Sequence, residues 1–316
     1  MKTIMDQIEI DGQNFDVSIV ANNRQTNCAA KIVIPVLALN QAALDVATVS
    51  IKSAIQKSIE PVEIWVVDNN SPPTFRDKLA QLDGVNFVFN HTEPYPSYGR
   101  TPPTYYLRRC LGLLNKNYSV GLQMFEGAYA NGVALELGCK ASRLTDQLVF
   151  VMHSDTLIIK DTWLSFLRSK MTDRIRAVGC WKDRIRVHAL HIGGLLFDYS
   201  LYESLQMSFL PNIGRRWHPN EVEHDVGDLI SLKLLEHGYD LFCCQNTYND
   251  PESVHAIRRG DPLRTIHSDR CFDDTGDVFL AHMGRGVPKS IGRYKKHGKT
   301  YPNEWVEYAN KYVLEG

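Results

Sequence analysis

An α/β fold with a mostly parallel sheet and helices on both faces is predicted by three observations. Short, strongly apolar runs recur along the chain: KIVIPV, VEIWVVD, VNFVF and LVFVM. Stretches with helical spacing separate them, which is the alternation expected of parallel strands joined by crossover helices. Clusters of turn-forming residues follow the strands abruptly, as in Asn69-Asn70-Ser71-Pro72-Pro73.

The elements follow in order. KIVIPV predicts a buried strand ending near Pro35. Leu44, Ala47, Ile51, Ala54 and Ile55 recur on one helical face, which predicts an amphipathic helix over 43–57 that Pro61 separates from the next strand. VEIWVVD (62–68) is the second strand. A short helix from Arg76 to Leu82 leads to a third strand at 85–89. Residues 91–106 are too rich in Pro and Tyr for regular structure, and a helix is expected over 107–114. GAYANGVALELGCK (127–140) reads as a helix whose Gly and Ala content implies close approach to the sheet or to a ligand. LVFVM (148–152) is a further strand, with others expected near 176–181 and 192–197. A helix over 225–238 ends at a Gly stop signal, and 239–244 is the last strand expected. From Asp250 the chain reads as polar and irregular. With no repeat and no linker, residues 1–316 are expected to form a single domain: an N-terminal extension (1–30), a core (31–250) and a C-terminal segment (251–316).

Composition narrows the function classes. At 316 residues the chain can bury roughly three quarters of its unfolded surface and needs no staples. Lys plus Arg number 35 and Asp plus Glu 36, so the net charge of -1 provides no global field for nucleic acid or an anionic membrane. The N-terminus lacks the apolar core of a signal peptide, and no stretch approaches the ~18 apolar residues of a membrane helix. The seven cysteines form no C-x-x-C pair, against a disulfide scaffold or a Cys-ligated zinc site. A cytoplasmic protein is expected.

Ligands of parallel sheets bind at the carboxyl ends of the strands, which directs attention to Pro35, Asp68 and the residues after Phe89. Asp68, with Asn69 and Asn70, is placed either to accept hydrogen bonds from a nucleobase or ribose or simply to cap a turn. His153 and Asp155 could share one cation, a pair that suits Mn²⁺ better than Mg²⁺, while Ser154, Asp155 or Thr156 could instead cap a helix. Glu223, Asp225 and Asp228 gather at a helix start, where the macrodipole favours acids and where one carboxylate could serve as general base. His282 follows an apolar run, and Gly284 and Gly286 flank Arg285 in a loop suited to an anion.

Taken together and in this order, these motifs resemble the family-2 inverting glycosyltransferases of the GT-A fold. KIVIPVLALN resembles the opening strand, WVVDNNSPP the family's "VVDNxS" element and GAYANGVALELG its Gly–Ala–Asn helix. FVMHSDT stands where the family has D-x-D, with His153 in the first position. EHDVGDLISLKLLEHGYDL resembles the acidic helix, and AHMGRG the late metal-binding His. The resemblance runs from about Lys31 to Gly286, with a longer spacing than usual between Phe89 and Gly127.

The resemblance implies a nucleotide-diphosphate sugar donor, most often UDP-linked, and a divalent metal, Mn²⁺ or Mg²⁺. Asp155 would hold the metal, with His153 and His282 completing its site. Asp68 would contact the base or ribose, with Asn131 nearby, and Pro35, Asn70 and Ser154 border the same donor site. Asp225 is the expected general base and Glu223 the second candidate. Arg285 and Lys289 would face the diphosphate from a lid. The lysines beyond them suit association with the acceptor or a membrane surface. A glycan, a lipid-linked group or a small molecule is the expected acceptor, and the balanced charge disfavours nucleic acid. The competing readings are a catalytically silent sugar-nucleotide binder and a GT-A-like nucleotidyltransferase. The latter needs a Gly-rich, Arg-containing loop after the first strand, where LALNQAALD has none.

Overall fold

A computed structural model of the protein describes residues 3–25, 27–94, 121–143, 148–183, 187–212, 224–266, 268–284 and 302–315, with the side chains of 121–126 left aside. The helix expected over 107–114, most of the Tyr/Pro-rich stretch, Glu223, and Arg285 and Lys289 with the rest of the basic segment lie outside these residues.

The four apolar runs form the centre of a nine-stranded sheet. β3 (Ala30–Val36), β4 (Val62–Asn69), β5 (Asn86–Asn90) and β6 (Leu148–Met152) are mutually parallel in the order β5-β4-β3-β6. Their alternate residues divide between two apolar layers, which is why these strands read as continuous hydrophobic runs. Ile32, Ile34, Ile64, Val66, Phe87 and Phe150 face α1 (Gln41–Gln56), α2 (Pro73–Leu79) and α4 (Trp163–Ser169). Val33, Trp65, Val67, Val88 and Val149 face α3 (Gly121–Ala141).

Local chemistry sets the helix ends. The Asn40 side chain caps α1 by accepting from Ala43 N–H at 2.9 Å. α2 begins at Pro73 rather than Arg76, because a proline suits the first helical position, where its missing N–H costs nothing. α3 lies close on the sheet, as its small residues led us to expect. A Cβ at Gly138 would stand 2.6 Å from Val33 Cγ1 and 2.8 Å from Val67 Cγ2. Pro35 pairs with Val67 of β4, while on its other side the β6 ladder has ended at Val33, so no partner loses a donor.

The sheet is completed by β8 (Ile175–Gly179), β9 (Gly194–Asp198) and β10 (Asp240–Cys243) on one side. On the other, β1 (Thr3–Ile10) and β2 (Gln13–Val20) form a hairpin. Asp11 and Gly12 both have positive φ, 52° and 76°, the conformation that an Asp-Gly two-residue turn favours. β2 then pairs with β5, so these residues, to which the sequence reading gave no element, extend the sheet. β2 and β9 run against the other seven strands.

The C-terminal segment corrects a second expectation. Beyond Asp250 the chain is not irregular: it forms a short α6 (Pro262–Thr265), β11 (Asp269–Phe272), β12 (Val278–His282) and α7 (Pro302–Ala309). β11, β12 and β7 (Thr156–Ile158) make a second, antiparallel sheet. Trp305 and Tyr308 of α7 join Leu157, Phe272 and Ala281 in an apolar cluster with Val46 and Val49 of α1. Polar residues between the short apolar runs concealed this layer. The helix expected over 225–238 is shorter, α5 (Asp228–Glu236), and starts after Gly227 at φ 72°. None of the six cysteines among the described residues is in a disulfide. No helix among the described residues is long and apolar enough to cross a membrane.

Candidate metal centre and active site

The strand order places the switch point between β3 and β6: the chain leaves β3 towards β4 and β5, then returns to the other side of β3. A crevice outside the carboxyl ends of two such strands is where open α/β sheets bind ligands. His153, Ser154 and Asp155 leave β6 at that point, in a turn closed by Thr156 N–H donating to His153 O at 3.1 Å. Ser50 of α1 steadies the turn by donating to Thr156 O at 2.6 Å.

Strand register then brings in His282. β12 pairs with β7 so that His282 stands opposite Thr156, and Met283 N–H donates to Asp155 O at 3.0 Å. His282 Nε2 lies 3.2 Å from Asp155 Oδ1 and 3.3 Å from His153 Nδ1. One ligand atom from each of His153, Asp155 and His282 falls within 4.8 Å of the others. The same register places Asp269 of β11 opposite His282, with Asp269 Oδ2 3.6 Å from His282 Nδ1.

Burial and pairing oppose each other here. Burial favours neutral forms. The His282 charge and hydrogen bond, followed by the charge of His153, overcome it and hold the Asp155 carboxyl below its ordinary range. Burial likewise pulls His282 down, but Asp155, then Asp269, lift it to about 10. The two carboxylates thus favour the protonated form of the His282 ring. A divalent cation would take the place of its proton. An imidazole–carboxylate–imidazole set spanning less than 5 Å fits one such ion, and two nitrogen donors favour Mn²⁺ or another transition ion over Mg²⁺. Asp269 is placed as the outer carboxylate that fixes the tautomer of a metal-bound histidine.

Two further residues line the centre. His191 follows a segment in which His191 N–H donates to Trp181 O at 2.9 Å, so the two are cross-strand neighbours. The His191 ring is 5.2 Å from that of His153, edge-on, and 6.1 Å from that of His282. The Trp181 ring is 5.2 Å from His282. Trp181 is buried and its indole N–H has no hydrogen-bond partner among the described residues. Sequence reasoning passed over His191, Trp181 and Asp269, since only strand pairing brings them to the site. The H-x-G-G spacing of His191 to Gly194, just before a strand, was the available signal.

The other residues singled out from sequence are distributed around this centre. Asp68 ends β4 fully buried, with its Oδ2 2.9 Å from Arg76 Nε and both oxygens accepting from Ser71 N–H. Asn70 is exposed with φ 68°, and its Oδ1 is 3.4 Å from an Arg76 nitrogen. The buried neighbour Asn69 donates to Ala130 O at 2.8 Å, which places Asn131 of α3 over the end of β4. Pro35 is buried, and Ser154 is half-buried in the metal turn. Asp225 is half-buried at the approach to α5; its Oδ1 accepts from Val226 N–H at 2.8 Å, while Asp228 Oδ2 accepts from Asp225 N–H at 2.8 Å. Gly227 packs so closely on Ile192 that a Cβ would meet its Cγ2 at 2.2 Å. Asp225 thus lies two residues before a close contact with Ile192, the chain neighbour of His191.

Solved structures similar to this chain are glycosyltransferases. Galactosyltransferase LgtC, in complex with donor and acceptor sugar analogs, shares 13% identity, with 90% of this chain and 96% of that chain covered and a TM-score of 0.47. Mannosyltransferase PcManGT from Pyrobaculum calidifontis, in complex with GDP-Man and Mn²⁺, shares 17% over 71% of this chain at a TM-score of 0.39, and the match spans 56% of that protein. Glycosyltransferase GlyE of Streptococcus pneumoniae TIGR4 shares 12%, with 90% and 60% covered, at a TM-score of 0.41. No family model matches the chain, and no curated protein does. At these identities and scores the likeness transfers no residue role.

Proposed function

We propose that the chain is a metal-dependent glycosyltransferase of the GT-A type, moving a sugar from a nucleotide-diphosphate donor, a UDP-sugar in the first instance, to an acceptor hydroxyl with inversion. The observation that carries this reading is the meeting of His153, Asp155 and His282 at the switch point of the sheet. These three residues hold the metal, and Asp269 orients His282. When bound, the divalent ion offsets the negative charge that grows on the leaving diphosphate. Asp68, Asn70, Asn131, Pro35 and Ser154 border the donor at the strand ends.

A hydroxyl is a poor nucleophile, so a carboxylate must accept its proton during attack. Asp225 takes this role in the proposal, with Glu223 as the second candidate. Arg285 and Lys289, in the basic stretch of sequence after His282, are the residues assigned to the diphosphate. The acceptor is a glycan, a lipid-linked group or a small molecule, and an overall charge near zero argues against nucleic acid. A catalytically silent binder would have no use for a base such as Asp225.

A thermal-shift panel of UDP-, GDP- and CMP-linked sugars, each with Mn²⁺, with Mg²⁺ and with EDTA, tests the reading. A ligand that binds only the folded state stabilises it by about 2.7 kcal/mol at a hundred times its Kd. The proposal expects one donor class to raise the melting temperature, and only with metal. No shift with any donor under any condition would oppose it.

A further inference from the structure

We infer that Ser50 and Thr156 are positioning residues of the metal centre: their hydroxyls hold the turn that carries His153 and Asp155 at the distance from His282 that one divalent ion requires. The inference rests on the metal site of the proposed function and adds to it two residues that are not ligands.

Among the described residues β7 is an edge strand of the small sheet, so one row of its backbone groups has no strand to pair with. Towards β12, Met283 N–H donates to Asp155 O at 3.0 Å and Ile159 N–H to Phe279 O at 2.9 Å. The intervening groups of Thr156 and Ile158 are met by α1. Ser50 Oγ donates to Thr156 O at 2.6 Å, and Ser53 Oγ accepts from Ile158 N–H at 3.0 Å. The two serines lie three residues apart, on one face of the helix, and both are fully buried. Ser53 in turn donates to Ser50 O at 2.7 Å. Two hydroxyls thus stand in for a neighbouring strand, which accounts for serines beside Ala47, Ile51 and Ala54 on the buried face of α1. Of the two, Ser50 is the one at the metal turn, since its Oγ also lies 3.4 Å from His153 O.

Thr156 fastens the turn to a second segment. The β6–β9 ladder ends at the pair Met152–Gly194. Just beyond it, the buried Thr156 hydroxyl donates to Gly193 O at 3.0 Å. The backbone from His153 to Thr156 is therefore tied at three points: to α1 by Ser50, to Gly193 by Thr156 and to β12 by Met283 N–H. The last tie sets the turn beside His282. The other two are side-chain hydroxyls and can be removed singly. Metal ligands must be held within about 0.5 Å of their productive geometry. A turn freed at one of these points therefore loses metal affinity although His153, Asp155 and His282 are all retained.

The test separates positioning from stability. Free Mn²⁺ is titrated by electron paramagnetic resonance, without nucleotide, against wild type, Ser50→Ala, Thr156→Val and Thr156→Ser. Valine keeps the shape of threonine without the hydroxyl, and serine keeps the hydroxyl without the methyl. Gly138→Ala, which strains the far face of the main sheet, is the control for lost stability alone, and Asp155→Ala for a lost ligand. Thermal melting without metal identifies the folded variants; should one of Ser50→Ala and Thr156→Val fail to fold, the other decides. Each is expected to bind Mn²⁺ roughly 10-fold more weakly than wild type, the milder end of what outer partners of metal ligands contribute. Thr156→Ser and Gly138→Ala should stay close to wild type, and Asp155→Ala should lose Mn²⁺ altogether. Wild-type affinity in the folded Ser50→Ala or Thr156→Val protein would overturn the assignment of that residue and leave the proposed function intact. A loss in Thr156→Ser equal to that in Thr156→Val, or a loss in Gly138→Ala as large as theirs, would also overturn it, because the effect would then not follow the hydroxyls. Wild type that binds no Mn²⁺ would end both readings.

Discussion

His282 and Asp155, separated by more than a hundred residues of chain, meet at 3.2 Å because the β12–β7 ladder sets one beside the other. The three-residue cluster with His153 is thus a consequence of strand register. A one-residue slip of β12 would turn the imidazole to the opposite face of the small sheet.

Asp155→Ala should abolish Mn²⁺ binding, and with it metal-dependent donor affinity, while the chain stays folded. Asp155 is the one carboxylate within the three-residue cluster, so a loss of at least ~100-fold is expected, at the top of the range seen when only an outer partner is removed. Mn²⁺ resonance together with circular dichroism checks both halves. Unchanged metal-dependent affinity would take Asp155 out of the site.

Asp269→Asn should act more mildly on the same measurement. Its carboxylate lies 3.6 Å from His282 Nδ1 and supports the ring from outside, so a loss of roughly 10- to 100-fold in Mn²⁺ affinity is expected. An affinity equal to wild type would mean that Asp269 does not orient His282.

Asp225→Asn should retain donor binding and reduce transfer by roughly 10²- to 10⁴-fold, since an amide cannot accept the proton. Steady-state rates at saturating donor provide the check. Should Glu223→Gln be the crippled variant and Asp225→Asn the active one, the base lies two residues earlier.

Glu136 of α3 predicts a pH-dependent stability. Its Oε1 accepts from the Tyr202 hydroxyl at 2.6 Å, the Ser208 hydroxyl at 3.0 Å and Phe209 N–H at 2.9 Å. Burial raises the carboxyl above its ordinary 4.5 in spite of these bonds. The folded state therefore holds this proton more tightly than the unfolded chain. Its contribution is complete below the unfolded value and is lost as pH rises through the folded one. Glu136→Gln cannot ionise and should flatten that part of the profile, which urea midpoints between pH ~4 and ~8 would reveal. An identical slope in both proteins would contradict the assignment.

Gly138→Ala should lower stability although alanine is the better helix former. The added methyl would press on Val33 and Val67 in two central strands, and such overpacking costs about 1–3 kcal/mol against a helix-propensity gain of about 1 kcal/mol. A raised urea midpoint would show that α3 can move off the sheet freely.

The central strands were legible because each carries its whole signal locally: β3, β4 and β6 are apolar on both faces and end in turn residues or at the site itself. The small residues of α3 likewise announced the close packing found at Gly138. His153, Asp155 and His282 were legible as separate candidates, since each follows an apolar run. Their meeting was not legible in the residues themselves, since it depends on β12 crossing to β7; only the family resemblance implied it. Asp269 depends on pairing alone, and His191 had only the H-x-G-G spacing as a local signal. The N-terminal hairpin is a different case: Asp11-Gly12 marked its turn, but Asp6 on the isoleucine face of a mostly exposed β1 masked the alternation.

Turnover of the donor tests the central claim most directly. The chain is incubated with UDP-sugars, and with GDP-sugars in parallel, in Mn²⁺ and without acceptor, and the released nucleoside diphosphate is quantified chromatographically. The account predicts slow release from one donor class that stops with EDTA and in Asp155→Ala. Donors left intact by wild type, whatever the metal and with glycan, lipid-linked and small-molecule acceptors added, would contradict it.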